Sequence, residues 1–309
     1  MSSRSRLAVL ALTLSAAFCL AIPAHSAPVQ WTATKVEKPE VPPEIVAEER
    51  KPAPSGIAGM LKATGPEGSR VAAAWYAQPT TRYRHGILGD TIEGGALQVE
   101  LRSGRRLSFR LESNDVFEDI APRIADLDGD GEMEIVTILS SLDKGSSIAV
   151  FGLVGDALVL QDRMRSLGEP QRWLNIAGIA RYSGARRAEI AFVATPHING
   201  RLGFLRISPG RMQIVAADGS GFSNHVIGST ELRLSATVDI DGDGKPELAL
   251  PSQDRTSLRI MGFVDEKLVE IATATLPAPI DKAIRVDGNG TEAVFTVGLE
   301  DGSVWQVRR

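Results

Sequence analysis

Two nine-residue stretches constrain this chain more than anything else in it: Asp126-Leu127-Asp128-Gly129-Asp130-Gly131-Glu132-Met133-Glu134 and Asp239-Ile240-Asp241-Gly242-Asp243-Gly244-Lys245-Pro246-Glu247. Each places carboxylates at positions 1, 3, 5 and 9. Acids this close repel one another, and a hard divalent cation that prefers six to eight oxygens removes the repulsion. The glycines let the backbone wrap until oxygens converge. Position 7, Glu132 or Lys245, offers its backbone carbonyl. An EF-hand loop would carry a bidentate Glu at position 12 and enter a helix. Here position 12 is Thr137 or Leu250, and both loops run into short apolar stretches that read as strands.

A calcium loop between two strands, Asp-x-Asp-x-Asp-Gly followed by an acid and an apolar strand, resembles the FG-GAP/VCBS repeats found in integrin α-subunit-like β-propellers. This chain departs from that pattern in carrying Glu at position 9. The resemblance implies an all-β propeller of four-stranded antiparallel blades and a structural role for calcium. Two calcium sites are expected: Asp126, Asp128, Asp130, Glu132 and Glu134 in one, Asp239, Asp241, Asp243, Lys245 and Glu247 in the other.

The loops repeat in degraded form. Ile179-Ala-Arg-Tyr-Ser-Gly-Ala-Arg-Arg-Ala-Glu189 aligns without gaps on the first loop but replaces its first three acids with Arg181, Ser183 and Ala185. Arg181 or Arg187 is expected to pair with Glu189, standing in for the metal. A fourth copy near Arg285 keeps Asp287 and Asn289 as a weaker third site. The loops begin at 126, 181, 239 and 285, roughly fifty residues apart, a propeller-blade period. With Val71–Tyr76, Ala96–Leu101 and Arg105–Leu111 as a further blade, the count is five, six being the alternative. The last blade lacks its outer strand, and a segment near Ile57–Ala63 is expected to close the ring and remove an open edge.

Residues 1–26 read as a signal peptide: Arg4 and Arg6, an apolar run, then Ala24-His25-Ser26. The only cysteine, Cys19, leaves with it, so core and metal rather than disulfides hold the mature chain. Its removal takes the net charge from −4 to about −6. That charge, with no basic cluster, argues against nucleic acid; no membrane span is expected after cleavage. Residues 27–56, rich in Pro, Glu and Lys, read as a tether that buries too little to order, and 57–309 as the propeller. The compartment expected is the periplasm or the exterior, and the state a monomer.

In the family resembled, calcium loops sit on one face and the connections between second and third strands on the other. Those connections carry the unusual residues: Arg82, Arg84 and His85 in a long loop, His197 after Pro196, and Asp254-Arg255. They are the candidate ligand-binding residues, with His85 and His197 expected to face one another. Arginine suits carboxylate or phosphate capture, and histidine titrates near neutrality. Asp119, Asn175, Arg233 and Asp281 are expected at the central channel. No nucleophile elbow and no zinc-protease motif is present. The reading is a non-enzymatic module that binds a protein or glycan; a propeller-type glycoside hydrolase or lyase is the alternative.

Overall fold

The computed structural model describes residues 27–37, 51–208, 211–217 and 219–309. The expected signal peptide and most of the expected tether lie outside them. The described chain is all-β apart from one 3₁₀ turn at Gly290–Glu292. Two short strands, β1 (Val29–Gln30) and β2 (Thr32–Lys35), are followed by β3 (Ala63–Thr64), β4 (Val71–Thr80), β5 (Glu93–Leu101) and β6 (Arg106–Arg110), which form one antiparallel meander. A crossing strand, β7 (Asp115–Phe117), pairs with β5 and with the next meander. That meander is β8 (Arg123–Ala125), β9 (Glu134–Ser141), β10 (Gly145–Val154) and β11 (Ala157–Arg163).

The third meander is β12 (Leu174–Ala180), β13 (Glu189–Ala194), β14 (Arg201–Ser208) and β15 (Arg211–Ala217). The fourth is β16 (Ala236–Val238), β17 (Glu247–Pro251), β18 (Ser257–Val264) and β19 (Lys267–Thr275). The last has β20 (Arg285–Asp287), β21 (Val294–Gly298) and β22 (Val304–Arg308) from the C-terminal end, and β2 as its fourth strand. Among the described residues the pairing thus sorts into groups of four antiparallel strands, the first two bridged by β7, in a β-propeller fold.

Strand periodicity explains how the blades stack. Successive side chains of a strand face opposite sides of its sheet. Along β9, Ile135 and Leu139 pack with Tyr76, Leu97 and Phe151 on one side, while Val136 and Ile138 pack with Trp173, Ile190 and Phe192 on the other. A middle blade therefore needs apolar residues at consecutive positions, and β9 is buried throughout. Two further clusters lie between the third and fourth blades (Tyr182, Phe204, Leu248) and between the fourth and fifth (Ile260, Phe295, Val297).

Two expectations are corrected here. The last blade is completed by Thr32–Lys35, paired antiparallel with β22, not by Ile57–Ala63; Ala63–Thr64 instead pairs with β4 in the first blade. The stretch 29–35 is accordingly part of the fold rather than of a tether. Trp31 between the two short strands is 8% exposed and tilts against Phe295 at a ring distance of 6.0 Å. The aromatic anchor supplies the burial that the composition of 27–56 as a whole lacks.

Candidate metal loops and a histidine-lined pocket

Both acidic loops fold in the same way. Asp126 Oδ1 accepts from Gly129 N at 2.6 Å and Oδ2 from Gly131 N at 3.1 Å. Asp239 does the same with Gly242 N and Gly244 N, at 2.7 and 2.9 Å. Both glycines of each loop lie at positive φ, between 79° and 90°, where a side chain would be strained. Glu134 Oε2 accepts from Leu127 N, and Glu247 Oε2 from Ile240 N, both at 2.8 Å.

One oxygen each from Asp126, Asp128 and Glu134 falls within 4.8 Å of the others, and likewise from Asp239, Asp241 and Glu247. Asp130 and Asp243, expected as ligands, stand outside these triads and accept instead from Glu132 N and Lys245 N. Burial first, then repulsion from the neighbouring aspartates, pushes the Glu134 and Glu247 carboxyls up to about 7. An all-oxygen donor set of this charge fits a hard divalent cation.

The degraded copies carry their own cations. Arg206 on β14 is the cross-strand partner of Glu189, and its Nε donates to Glu189 Oε1 at 2.9 Å. This corrects the expectation of Arg181 or Arg187. Arg187 reaches Asp128 of the neighbouring blade instead, at 3.6 Å. Arg285 donates to Asp287 at 2.6 Å, so the side chain expected to contribute to a weaker third site is already held by a guanidinium. Loops of successive blades also touch: Ala188 N donates to Leu127 O at 2.9 Å, and Gly290 N to Asp239 O at 2.7 Å.

In an antiparallel meander, connections between first and second strands lie at one end and those between second and third at the other. The metal loops occupy the first end. At the second is a cavity of about 260 Å³ lined by His85, Ile87, Gln171, Arg172, Trp173, Thr195, His197, Ile198 and Ile227. It brings His85 and His197 together on one wall system, drawn from the first and third blades.

Each imidazole is held from behind. His85 Nδ1 shares a 2.6 Å hydrogen bond with Glu118 Oε1, and Ser140 Oγ donates to the other oxygen at 2.5 Å. Burial raises the Glu118 carboxyl above the usual range even though His85 and Ser140 draw it down. His197 Nε2 lies 3.0 Å from His225 Nδ1, and His225 Nε2 2.8 Å from Ser229 O. Burial lowers both imidazoles to about 4. The Trp173 indole donates to Glu118 O at 3.1 Å. Within electrostatic reach of Glu118, Glu93 is buried, with one oxygen unpartnered among the described residues. Burial, and then the Glu118 charge, lift it to about 9.

The remaining candidates serve the scaffold. Arg82 donates through Nε to Asp115 O at 3.0 Å. Asp254 accepts from Ser252 Oγ at 2.6 Å, shaping its own turn, and Arg255 Nε donates to Ile280 O at 3.0 Å between blades. Arg84 is exposed. Of the channel residues, Asp119 is buried under Tyr76 and Arg123, and Asn175 Nδ2 donates to Asn224 O and Leu232 O. Asp281 pairs with Lys282. Arg233 lines two cavities, beside Arg123 and Leu232, and is also bound to Glu231.

Glu118, Ser140, Trp173 and the two exposed isoleucines were not singled out in the sequence. The adjacent acids Glu118-Asp119 inside an apolar run, Val116-Phe117 and then Ile120, were the one available sign: acids in a buried context require partners.

No protein-family profile matches this chain, and no curated protein sequence is significantly similar to it. Among solved structures, it is similar to the rhamnogalacturonan lyase YesX, at 13% identity over 80% of this chain and 56% of that one, with a TM-score of 0.45. Sqt1 of Saccharomyces cerevisiae matches at 14% identity over 69% and 54%, with a TM-score of 0.43. BBS1N, solved in complex with ARL6DN, matches at 11% identity over 79% and 66%, with a TM-score of 0.40. The chain spans about 54–66% of the length of these three structures.

Proposed function

We propose that this chain is an extracytoplasmic, calcium-stabilised β-propeller whose task is binding, with its ligand seated at the end of the blades remote from the acidic loops. The observation that carries this reading is the cavity where His85, Trp173 and His197 meet. Four connections between strands converge there on a rigid scaffold, which is where binding residues concentrate. Calcium, when bound by Asp126, Asp128 and Glu134 or by Asp239, Asp241 and Glu247, neutralises converging carboxylates and ties loop to strand. The FG-GAP/VCBS resemblance supports the same assignment.

A second reading has one observation in its favour. His85, backed by the buried Glu118, resembles an oriented acid–base pair, as a saccharide hydrolase or lyase would use. Glycoside hydrolysis needs two carboxyl groups at the substrate, and no carboxyl lines this cavity. Binding is therefore the better account.

The test is capture of envelope proteins and glycans from source cells with wild type, His85→Ala and His197→Ala. A ligand retained equally by all three would remove the pocket from the reading. N-terminal sequencing of the exported chain tests the compartment; a start at Met1 counts against it.

A further inference from the structure

The pocket narrows what it can hold, and the inference rests on the binding reading above. A carbonyl only accepts, so the Ser229 oxygen fixes a proton on His225 Nε2. His225 is neutral at pH 7, so its Nδ1 turns a lone pair toward His197 Nε2, which must donate. His197, neutral as well, is left with a lone pair on Nδ1, an acceptor and nothing else. A carboxylate, phosphate or sulfate has no hydrogen to offer it. An amide or hydroxyl has one. The Arg255 charge, which helps to hold His197 neutral, disfavours an ammonium there.

The other walls choose between amide and hydroxyl ligands. Trp173 is 2% exposed and its N–H is already engaged, so it offers no open ring face for a sugar. The accessible apolar surface is aliphatic: Ile198 and Ile227, 58% and 65% exposed, stand at the edge of the cavity. Its 260 Å³ is below the roughly 300–1,000 Å³ of sites that enclose a drug-sized molecule, and suits one or two side chains. Thr195 and Gln171, both on the wall, are held at φ 49° and 57°. For a β-branched residue that is a strained conformation, of the kind kept at functional positions. On the same rim, Gln171 Nε2 donates to Arg84 O at 3.2 Å. The exposed Arg84 side chain has no ion-pair partner among the described residues.

We propose that the pocket docks an extended segment of a partner protein. An aliphatic side chain lies against Ile198 and Ile227, an amide N–H of the segment donates to His197 Nδ1, and an acidic residue beside it meets Arg84.

The experiment is a displayed library of random dodecapeptides selected in parallel on wild type and on an Ile198→Ser/Ile227→Ser double variant, together with a glycan array. Both isoleucines are exposed, so the double variant keeps its fold, which a thermal melt checks. Sequences enriched on wild type alone, pairing an aliphatic residue with Asp or Glu, support the proposal. Their affinity should fall about tenfold in His197→Phe, which keeps a ring and removes the acceptor, and less in Arg84→Gln. Equal enrichment on both proteins overturns it. Glycans bound through the pocket, with no peptide enriched, overturn the peptide proposal and leave the binding module standing. Neither class binding overturns both.

Discussion

Arg206 Nε donates to Glu189 Oε1 across neighbouring strands at 2.9 Å, and Glu189 is fully buried. Ser183 Oγ donates to the same carboxylate at 2.6 Å. Continuing the register of the other blades puts Gly152 opposite Glu134 and Gly262 opposite Glu247. A Cβ on Gly262 would stand 3.2 Å from Glu247 Oε1. Thus where a loop keeps its acids, the facing residue is glycine; where it has lost them, the facing residue is arginine. In the third blade the positive charge beside the buried acid comes from the chain itself.

That exchange predicts the cost of losing the arginine. Arg206→Met leaves Glu189 buried and uncompensated and should destabilise by about 3 kcal/mol. Adding Glu189→Gln should recover most of the loss. Neither change should alter calcium binding. Denaturant melts of the two variants and the wild type decide it.

Metal removal should lower the melting temperature. Titration of calcium into stripped protein should report two sites, and Asp128→Ala or Asp241→Ala should each leave one. A stripped protein that melts at the same temperature with and without calcium would refute the structural role.

The pH dependence of the metal-free protein follows from Glu134 and Glu247. Their folded values, about 7, lie above the unfolded value of about 4.3. Their contribution is present below that unfolded value and is lost as pH rises through 7. The melting temperature without metal should therefore fall between pH 5 and pH 8. Calcium binds the deprotonated carboxylates and should flatten that slope. What remains is shared by Glu93, raised to about 9, and Glu118, also raised by burial, and Glu93→Gln should reduce it. His197 and His225 act in the opposite direction. Lowered to about 4, they contribute stability above the unfolded value of about 6.5 that is lost as pH falls toward 4.

Trp31 tests the closing strand. Trp31→Ala should cost about 3 kcal/mol, as for other large buried aromatics. It should also raise hydrogen exchange first in β22, whose outer edge β2 covers. Uniform exchange across all blades would show that the strap contributes nothing local.

Much of this architecture was legible in one dimension. The stretch Ala96–Leu101, expected as a strand, lies within β5, and the loop spacing announced a repeated four-stranded unit. Asp-Gly-Asp-Gly turns and consecutive apolar runs are local signals: a positive φ or a strand buried on both faces must be written at its own position. Thr32–Lys35 was not legible because two short strands among Pro and Glu carry no periodic signal. Only pairing with distant strands gives them a sheet to belong to: Thr32–Lys35 joins β22, at least 270 residues away in the chain, and Val29–Gln30 joins β19.

The sequence by itself determined the acids, their spacing and the strands that follow, because metal ligation and sheet formation depend on residues close along the chain. Tertiary structure alone decided that Arg206 pairs with Glu189, that Glu118 stands behind His85, and that His225 dictates the tautomer of His197. Each of these joins side chains at least seventeen residues apart. Their partnership is set by register and blade packing, quantities that no local window of sequence contains.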